Sequence, residues 1–540
     1  MLCTDILLMA LTAAGLLFTL FSTARAEPFR TRSGRGTHPM PEGYGPRGPV
    51  GPSDTELAVE SAAATVEAPG KRDAPYDAYP PDASGAFRKA VAEAAEKGGG
   101  VVYIPPGVYR LDETVPVSDN ITVHGAGRAT HLYTAQNNPV FLIGGDDIRF
   151  TQFRLQGPTT VRMVQNASKG IQVTNGYGRC RIDHIEISGF GHYAIGVVEK
   201  GEATVEYVYD HHNTQNGYGY GVMVGSGGQA VVIDSELEQN RHAIASNGAG
   251  TMYKCLYCYI HGDDETYRVG ALDTHPGMSG EIEIAYNFVE NQQTGLSISD
   301  GSGRIHDNCF RNVHRFCNIR PGVHNNNYIE GSEAHDMVFE NNVLENVEVP
   351  YEIRAGRNIV IDGETLDLPP GRSQADVVVA DESAQAIRDA IASVGSGGVV
   401  FLPPWTYEIA EPIHVSSGLT LIGDEGYTRI LVAGKRPAFV VEGDAARLCR
   451  LTVVRKHPVG APGAAGVVIR SGEDIRIDRC RFDGHPRCGV LFLAGSGRVE
   501  KNAFTDCGDA AVIRVDADVT VEANELEHGL EALAGQAPQG

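Results

Sequence analysis

A duplicated block limits the possible folds of this chain more than any other feature of its sequence. The segment GGGVVYIPPGVYRL (98–111) recurs as SGGVVFLPPWTYEI (396–409), at an offset of 298 residues. The same offset aligns Gly125 with Gly423 and persists downstream without a gap. Because chance matches do not keep one register over this length, we expect two units that begin with the same local structure.

Each copy follows a segment with helical spacing. Apolar residues within 85–97 and 383–394 recur on one face of a helix, and a glycine follows each segment. We therefore expect a short cap helix before the first strand of each unit.

Downstream of the first copy, short apolar strands alternate with turns rich in Gly, Asn and Asp, at a period typical of solenoids. Aligning the strand after each turn gives a column of residues with steps of 27, 22, 28, 24 and 21. The column consists of Val197, Val224, Ser246, Thr274, Ile298 and Ile319. Each step predicts one coil.

A column of asparagines checks this register independently. Asn287 and Asn308 are 21 residues apart, which equals the last step of the first column. Asn342 follows after 34 residues, and this longer step predicts a projecting loop within residues 323–335. Asparagine tolerates the left-handed conformation of a tight turn, and its amide can bond to the equivalent amide of the next coil.

The second unit has the same organisation on a smaller scale. A step of 22 residues separates Val490 from Val512, and the same step separates Asn502 from Asn524. We expect a shorter stack of coils here.

The opening block resembles a known superfamily. GGVVYIPPGVY (99–109) with Gly125-Ala-Gly127, and more loosely GGVVFLPPWTY (397–407) with Gly423, resemble the pectate-lyase-like, right-handed parallel β-helix proteins. The resemblance extends over nearly everything from Tyr76 onward. It implies an all-β fold of two tandem parallel β-helix units, but this superfamily includes lyases, hydrolases, epimerases, tailspikes and binding proteins. The usual Gly-Asp-Gly-x-x-Asp-Asp-Thr segment before the cap helix is replaced here by YDAYPPDAS (76–84).

These observations predict six segments. They are a signal peptide (1–26), a flexible leader (27–75) rich in Pro, Gly and charge, a first β-helix (76–370), a linker (371–382), a second, shorter β-helix (383–530) and a tail (531–540).

The N-terminal apolar run (6–21) precedes Ala24-Arg25-Ala26, a pattern typical of a signal peptide cleaved before Glu27. A membrane anchor is the alternative, because Asp5 is present and no Lys or Arg precedes the run. No later stretch has the roughly 18 apolar residues of a spanning helix, so we expect a secreted or periplasmic protein that is not membrane-bound in its mature form.

The charge of the chain limits the classes of molecule that it can bind. The formal net charge of −23 argues against nucleic acid and anionic membranes, which are bound mainly by basic surfaces. We expect a monomer with a polysaccharide as its partner. Of the cysteines, Cys255 and Cys258 have metal-site or redox spacing, but the strand pattern around them favours core thiols.

Strand residues next to the first column should point outward and form polar ladders on one face. These outward residues are Ala245, Asn247, Asp273, His275, Ser297, Ser299, Asn318, Arg320, Glu352 and Arg354. Arg241 and His242 approach the same face from the preceding turn, and His211 and His212 belong to the coil before. His275 and Arg320 should lie two coils, or about 10 Å, apart along the axis.

A cluster of acidic, His and Arg side chains can remove the proton α to a uronate carboxylate. In this hypothesis His275 is the base, Arg320 or Arg241 neutralises the carboxylate, and His242 or Tyr220 is the acid. Asp273 completes the catalytic set. The candidate substrate-binding residues are Arg354, Asn318, Ser297, Ser299, Asn247, His211 and His212.

The sequence Asp273-Thr-His275-Pro276 resembles the Asp-Pro-His-Asp box of β-helical alginate epimerases, with Pro276 in place of its last Asp. The resemblance favours a lyase or an epimerase.

Two alternatives remain open. A glycoside hydrolase needs two carboxylates about 5–9.5 Å apart, and Asp263, Asp264, Glu265 and Asp273 are available. A non-catalytic glycan-binding or cell-envelope protein would use the same polar ladder without chemistry. Calcium is the one cofactor that these acids suggest, but their spacing matches no recognised calcium cage, and we assign no metal ligands.

Overall fold

The computed structural model describes residues 40–535 except 68–79, 159–166, 216, 263–269, 279, 325–326, 330–331, 367, 370, 457–464, 509 and 528–529. The predicted signal peptide and the acids Asp263, Asp264 and Glu265 therefore lie outside the described residues. Strands account for 52% of the structure and helices for 7%, and the strands form a parallel β-solenoid of about 17 turns. The predicted fold class is confirmed. Within the described part, no helix is long and apolar enough to cross a membrane.

In the first β-helix, the coils place their strands on three faces. The first face consists of Ala64–Thr65, Gly100–Ile104, Ile121–Gly125, Arg149–Thr151, Cys180–Asp183, Glu202–Glu206, Gln229–Ile233, Met252–Leu256, Glu281–Ala285, Gly301–His306, Ala334–Glu340, Arg357–Ile361 and the antiparallel Glu364–Thr365. The second face consists of Gly107–Arg110, Thr130–Tyr133, Arg154–Gln156, Glu186–Ser188, Tyr209–His211, Glu236–Glu238 and Tyr259–His261. The third face consists of Val115–Val117, Pro139–Ile143, Lys169–Val173, Tyr193–Val197, Tyr220–Gly225, His242–Asn247 and Gly270–Thr274. In the last coils, Phe288–Ile298, Cys309–Ile319 and Val343–Ile353 run through both the second and third faces.

The predicted register is correct. Parallel pairing joins all six residues of the first column, Val197 through Ile319, and each is buried. In the asparagine column, the amide of Asn287 donates to Asn308 Oδ1 at 2.9 Å, and that of Asn308 to Asn342 Oδ1 at 2.9 Å. The predicted loop contains a short antiparallel pair, Val323–His324 with Asn327–Tyr328.

The second β-helix also has three faces. The first face has Val377–Val378, Val399–Phe401, Thr420–Ile422, Arg447–Cys449 and Ile475–Asp478, and the second has Thr406–Ile409, Arg429–Val432, Thr452–Arg455, Arg481–Asp483, Ala503–Thr505 and Glu525–Leu526. The third has Ile413–Val415, Phe439–Glu442 and Val467–Ser471; Cys488–Glu500 and Ala510–Glu522 join it to the first face, and Glu531–Gly535 pairs last. The predicted step of 22 is confirmed, since Val490 pairs with Val512 and the amide of Asn502 donates to Asn524 Oδ1 at 3.1 Å.

The two units open in the same way, as the duplication predicts. Their cap helices are Ser84–Glu96 and Ala384–Val394. The short 3-10 turns are not equivalent, since Gly127–Ala129 follows the first cap helix and Arg372–Gln374 precedes the second. Val101 pairs with Thr122, and Val399 pairs with Thr420, its equivalent at the same offset. The hydroxyls of Tyr109 and Tyr407 likewise donate to the carbonyls of Pro105 and Pro403.

A short junction joins the units. Arg479 of the second unit donates to the carbonyl oxygen of Ile353 at 2.9 Å. Nearby, Asp424 and Arg450 are both buried. Burial raises the pKa of Asp424 to about 7, although Arg450 opposes this shift.

Part of the predicted flexible leader is ordered instead. Residues 42–66, which we call the strap, follow the corner between the first and second faces. From later coils to earlier ones, the strap contacts are Gly45 to Tyr286, Arg47 to Asp234, Gly51 to Tyr207, Ser53 to Arg128 and Ala64 to Val102. Composition indicates that this segment cannot form a core of its own. It does not indicate whether the segment packs on the core of a neighbouring unit, as it does here.

Cys255 and Cys258 are free, buried thiols of the solenoid interior. The Cys258 Sγ lies 3.6 Å from the carbonyl oxygen of Val232, and the Cys255 Sγ lies 3.5 Å from Asn287 Oδ1. The prediction of core thiols agrees with these contacts.

Candidate functional site

Six predicted residues meet on the outside of the third face. We call them the third-face cluster: Tyr220, Arg241, His242, Asp273, His275 and Arg320. Asp273 is the centre, on the strand Gly270–Thr274. Its Oδ1 accepts a hydrogen bond from Arg320 Nη2 at 3.0 Å, and its Oδ2 lies 2.9 Å from His275 Nε2 and 3.7 Å from His242 Nε2.

The electrostatics of Asp273 determine its protonation state. The side chain points outward but is only 4% exposed, because its neighbours cover it. Burial alone would raise the pKa of Asp273, but His242, His275 and Arg320 together hold it well below its usual range. Asp273 is therefore ionised at neutral pH and cannot act as a proton donor.

His242 is held in one state. Its Nδ1 lies 2.6 Å from the carbonyl oxygen of Gly270, which can only accept, so Nδ1 carries a proton. Burial lowers the pKa of His242 to about 4. At neutral pH the ring is therefore uncharged, and its Nε2 is an acceptor, which does not suit the predicted role of acid.

Tyr220 suits the acid role better. Its ring stacks on that of His242 at a centroid distance of 5.8 Å, and the Arg241 guanidinium lies 5.7 Å from its ring centroid. Its hydroxyl donates to the Gly217 carbonyl at 3.2 Å. Burial raises the pKa of Tyr220, with Arg241 opposing, so the hydroxyl keeps its proton.

The outer ladder of the third face contains His275, Ser299, Arg320 and Arg354 on successive coils. The His275 and Arg320 side chains are 21% and 38% exposed, so substrate can reach them. Arg320 starts two coils beyond Asp273, but its side chain reaches back to it. The two coils are about 10 Å apart along the axis, but the long side chain of Arg320 still brings its guanidinium into contact with the Asp273 carboxylate.

The predicted substrate-binding residues divide into two groups. The first group lies on the third face. There Ser297 and Asn318 continue the column that contains Asp273 and Glu352, and Asn247 ends the strand His242–Asn247. Arg354 pairs with Glu352, which also lies 2.5 Å from Arg315.

His211 and His212 are placed differently from the prediction. His211 ends a strand of the second face, where its ring stacks on Tyr209 at 4.3 Å and its Nε2 lies 3.7 Å from Glu186. His212 occupies the following corner, with a φ of 59°. The error arose because Asp210 takes the inward position of this three-residue strand, so His211 points out from the second face.

A second polar cluster, which was not predicted from the sequence, lies on the second face and consists of Glu236, Glu238 and His261. The pattern is visible in four short strands: YDH, ELE, YIH and the start of FVENQQTGLSI. These strands pair in register, and the residues before and after each central residue are mostly polar or aromatic. Extending the column alignment to this face would have found the cluster.

A shallow cavity of about 330 Å³ lies elsewhere, on the first face between Cys180–Asp183 and Glu281–Ala285. Its lining has no histidine among the described residues and includes the ion pair of Lys254 with Glu283, at 2.6 Å. We assign no chemistry to this cavity.

Comparisons with known proteins give weak similarities. No protein-family model and no curated protein matches the sequence. Among solved structures, the catalytic unit of the GH87 α-1,3-glucanase from Streptomyces thermodiastaticus is 14% identical, with 89% of this chain and 71% of that chain covered and a TM-score of 0.28. The Agl-KA catalytic domain is 14% identical, with 87% of this chain and 70% of that chain covered and a TM-score of 0.37. PfbA, a surface adhesin of Streptococcus pneumoniae, is 12% identical, with 88% of this chain and 92% of that chain covered and a TM-score of 0.31. Similarities at this level carry no inference about substrate or activity, and the pectate-lyase-like assignment stays a prediction.

Proposed function

We propose that this chain is a secreted, carbohydrate-active protein that binds an acidic polysaccharide on its third face and removes the C5 proton of a uronate, as a lyase or an epimerase. The supporting observation is the arrangement around Asp273: one buried, ionised carboxylate contacts both His275 and Arg320, beside the stacked rings of Tyr220 and His242.

His275 is the base. Its Nε2 lies 2.9 Å from Asp273 Oδ2, and a carboxylate so close favours the tautomer that keeps its proton on Nε2 and leaves Nδ1 as the accepting nitrogen. The C5 proton moves to Nδ1, and the electron pair left at C5 is delocalised into the adjacent uronate carboxylate. Asp273 stabilises the imidazolium that forms.

Arg241 is the better candidate to neutralise the uronate. Arg320 already pairs with Asp273, whereas Arg241 makes no ion pair with any carboxylate of the described residues. Because a cation must offset charge that develops on the substrate, a guanidinium not already neutralised by the protein is more effective. Arg320 then positions Asp273.

Tyr220 is the acid. In an elimination it donates its proton to the glycosidic oxygen that leaves C4. In an epimerisation it donates to C5 from the opposite side of the ring. Asn247, Ser297, Ser299, Asn318 and Arg354 supply polar contacts along the same face.

The glycoside hydrolase remains the second candidate. The GH87 α-1,3-glucanase named above is a glycoside hydrolase, but its similarity to this chain is too low to decide. Along the Asp273 column the next carboxylate is Glu352, three coils or about 14 Å away, which exceeds the spacing of a hydrolytic pair. The second carboxylate of a hydrolase would then come from outside this column, and Asp263, Asp264 and Glu265 are the candidates that the sequence offers.

The test is incubation with a panel of polyuronides and neutral glucans. A lyase produces ultraviolet absorbance from the unsaturated product, and an epimerase changes uronate composition without it. New reducing ends without absorbance would instead support hydrolysis, and binding without any product would support a glycan-binding protein.

The variant that tests the base is His275→Ala. We expect the rate to fall at least about a hundredfold, with a smaller loss of stability than a core substitution causes, because the side chain leaves no core cavity and Arg320 still pairs with the buried Asp273. His314→Ala is the matched control, since His314 is an exposed histidine that pairs only with the exposed Glu348 in the described structure. Full activity of His275→Ala on a substrate that the parent converts would exclude this role.

A further inference from the structure

A second group of ionisable side chains lies on the second face, outside the proposed catalytic site. The strands Tyr209–His211, Glu236–Glu238 and Tyr259–His261 stack here, followed by the start of Phe288–Ile298. Their middle residues Leu237, Ile260 and Val289 belong to the hydrophobic core, so the residues on either side point outward. His211, Glu238, His261 and Glu290 form one outward column, and Tyr209, Glu236 and Tyr259 form its neighbour.

Three of these side chains have the geometry of metal ligands. One ligand atom each from Glu236, Glu238 and His261 can be chosen so that all three lie within 4.8 Å of one another. The Nε2 of His261 lies 3.1 Å from Glu236 Oε1. Metal–ligand bonds of about 2.0–2.2 Å place adjacent ligands roughly 3.0–3.5 Å apart, which the His261–Glu236 pair already matches.

The cluster is covered even though it points outward. Glu236, Glu238 and His261 are 5%, 3% and 2% exposed. Tyr44 of the strap packs on the neighbouring Tyr259 and Phe288 and closes one side. The carboxylates are thus removed from water, and a buried charge without a counter-ion is costly.

Glu290 adds a third buried carboxylate next to this cluster. It is 0% exposed and lies one coil beyond His261 in the same column. Its Oε1 accepts from the Tyr259 hydroxyl, but its Oε2 has no hydrogen-bond partner among the described residues. The adjacent Arg311 donates to Glu345 at 2.6 Å, and its charge also acts on Glu290.

Two tyrosines fix the carboxylates. The hydroxyl of Tyr209 donates to Glu238, and that of Tyr259 donates to Glu290. The Tyr259 ring also stacks on that of His261 at 4.1 Å. Hydrogen bonds of this kind orient ligands before a metal binds, and their loss typically weakens affinity.

We propose that Glu236, Glu238 and His261 bind a divalent transition-metal ion of the zinc or manganese class, with Glu290 completing its charge balance. One imidazole with carboxylates suits these ions, whereas Ca²⁺ takes six to eight oxygen ligands. The site is structural, because it is covered and its ligands come from adjacent coils. The bound ion crosslinks those coils.

Metal binding to the full chain tests this assignment. The purified protein is stripped with a chelator and titrated with Zn²⁺, Mn²⁺ and Ca²⁺ in equilibrium dialysis, with metal content measured by mass spectrometry. We expect one equivalent of Zn²⁺ or Mn²⁺ per chain, weaker binding of Ca²⁺, and a higher melting temperature of the loaded protein. A stripped wild type that takes up none of these ions, or that prefers Ca²⁺, overturns the assignment without recourse to any variant.

Variants locate the ion. Glu238→Gln keeps the shape of the side chain and should weaken Zn²⁺ binding at least about a hundredfold, as should Glu236→Gln. His306→Ala is the matched control, because His306 also contacts two carboxylates, Glu283 at 3.7 Å and Asp307 at 2.8 Å, but lies on the first face. Unchanged binding in a folded Glu238→Gln or Glu236→Gln variant, or equal loss in His306→Ala, would show that the ion binds elsewhere.

Discussion

Replacing Asn308 by alanine measures how much the asparagine column stabilises the first β-helix. The Asn308 side chain accepts from the backbone NH and the amide of Asn287, at 3.0 and 2.9 Å. Its own amide donates to the carbonyl oxygens of Ile284 and His306, at 2.8 and 3.0 Å. One side chain thus links consecutive coils at a corner that water does not reach.

The structure sets the size of the effect. Asn287 and Asn308 are both 0% exposed, so alanine leaves two buried N–H groups of Asn287 unpaired: the backbone NH and one hydrogen of the side-chain amide, whose nitrogen still donates to the Cys255 carbonyl. Each such group costs about 1–3 kcal/mol, and the two carbonyls that lose a donor add to this. We expect the free energy of unfolding to fall by about 3–5 kcal/mol.

Urea unfolding followed by circular dichroism is the assay, with Asn346→Ala as the control. Asn346 also belongs to a ladder, since its amide donates to Asn312 Oδ1 at 2.8 Å, but it is exposed. Its φ of 53° makes alanine cost about 1 kcal/mol through the backbone alone. Hydrogen exchange should place the Asn308→Ala loss in adjacent coils, because solenoid units contact only their neighbours. A loss no greater than that of Asn346→Ala would refute the reasoning.

Two further predictions concern the junction between the units. The pKa of Asp424 is raised in the folded state, from an ordinary 3.8 to about 7, so its contribution to stability is complete at low pH and is lost as the pH rises through about 7. The melting temperature of Asp424→Asn should therefore rise relative to that of the wild type as the pH increases from about 4 to about 7, and a constant difference over this range would contradict the shift. A chain that ends near Pro370 should keep any catalytic activity, since Asp273 and its partners His275 and Arg320 all lie in the first unit. Residues 376–540 then act as a binding or stabilising module, and loss of activity in a folded truncated chain would show that the site needs them.

The coil register could be predicted because it depends only on the backbone. A strand residue points in or out according to its parity, so the equal steps of Ile298 to Ile319 and of Asn287 to Asn308 fixed both columns. The same reasoning placed Asp273, His275 and Arg320 on one face.

Side-chain reach could not be predicted this way. Arg320 reaches back from two coils away to Asp273 because the buried carboxylate needs a counter-charge, and that requirement appears only once Asp273 is known to be covered. Likewise, a proton-donor role for His242 was plausible until its partner, the Gly270 carbonyl, was known. Such contacts depend on three dimensions rather than on spacing in the sequence.

The strap determines an order of assembly. Residues 42–66 leave the ribosome before any coil of the solenoid, yet the contact of Gly45 is with Tyr286, more than two hundred positions later. The segment made first can therefore dock only after most of the first unit exists, and until then the corner residues that it covers, such as Asp234, lack their Arg47 partner. A chain threaded through a membrane from its N-terminus meets the same delay, so its earliest segment completes the folded unit last.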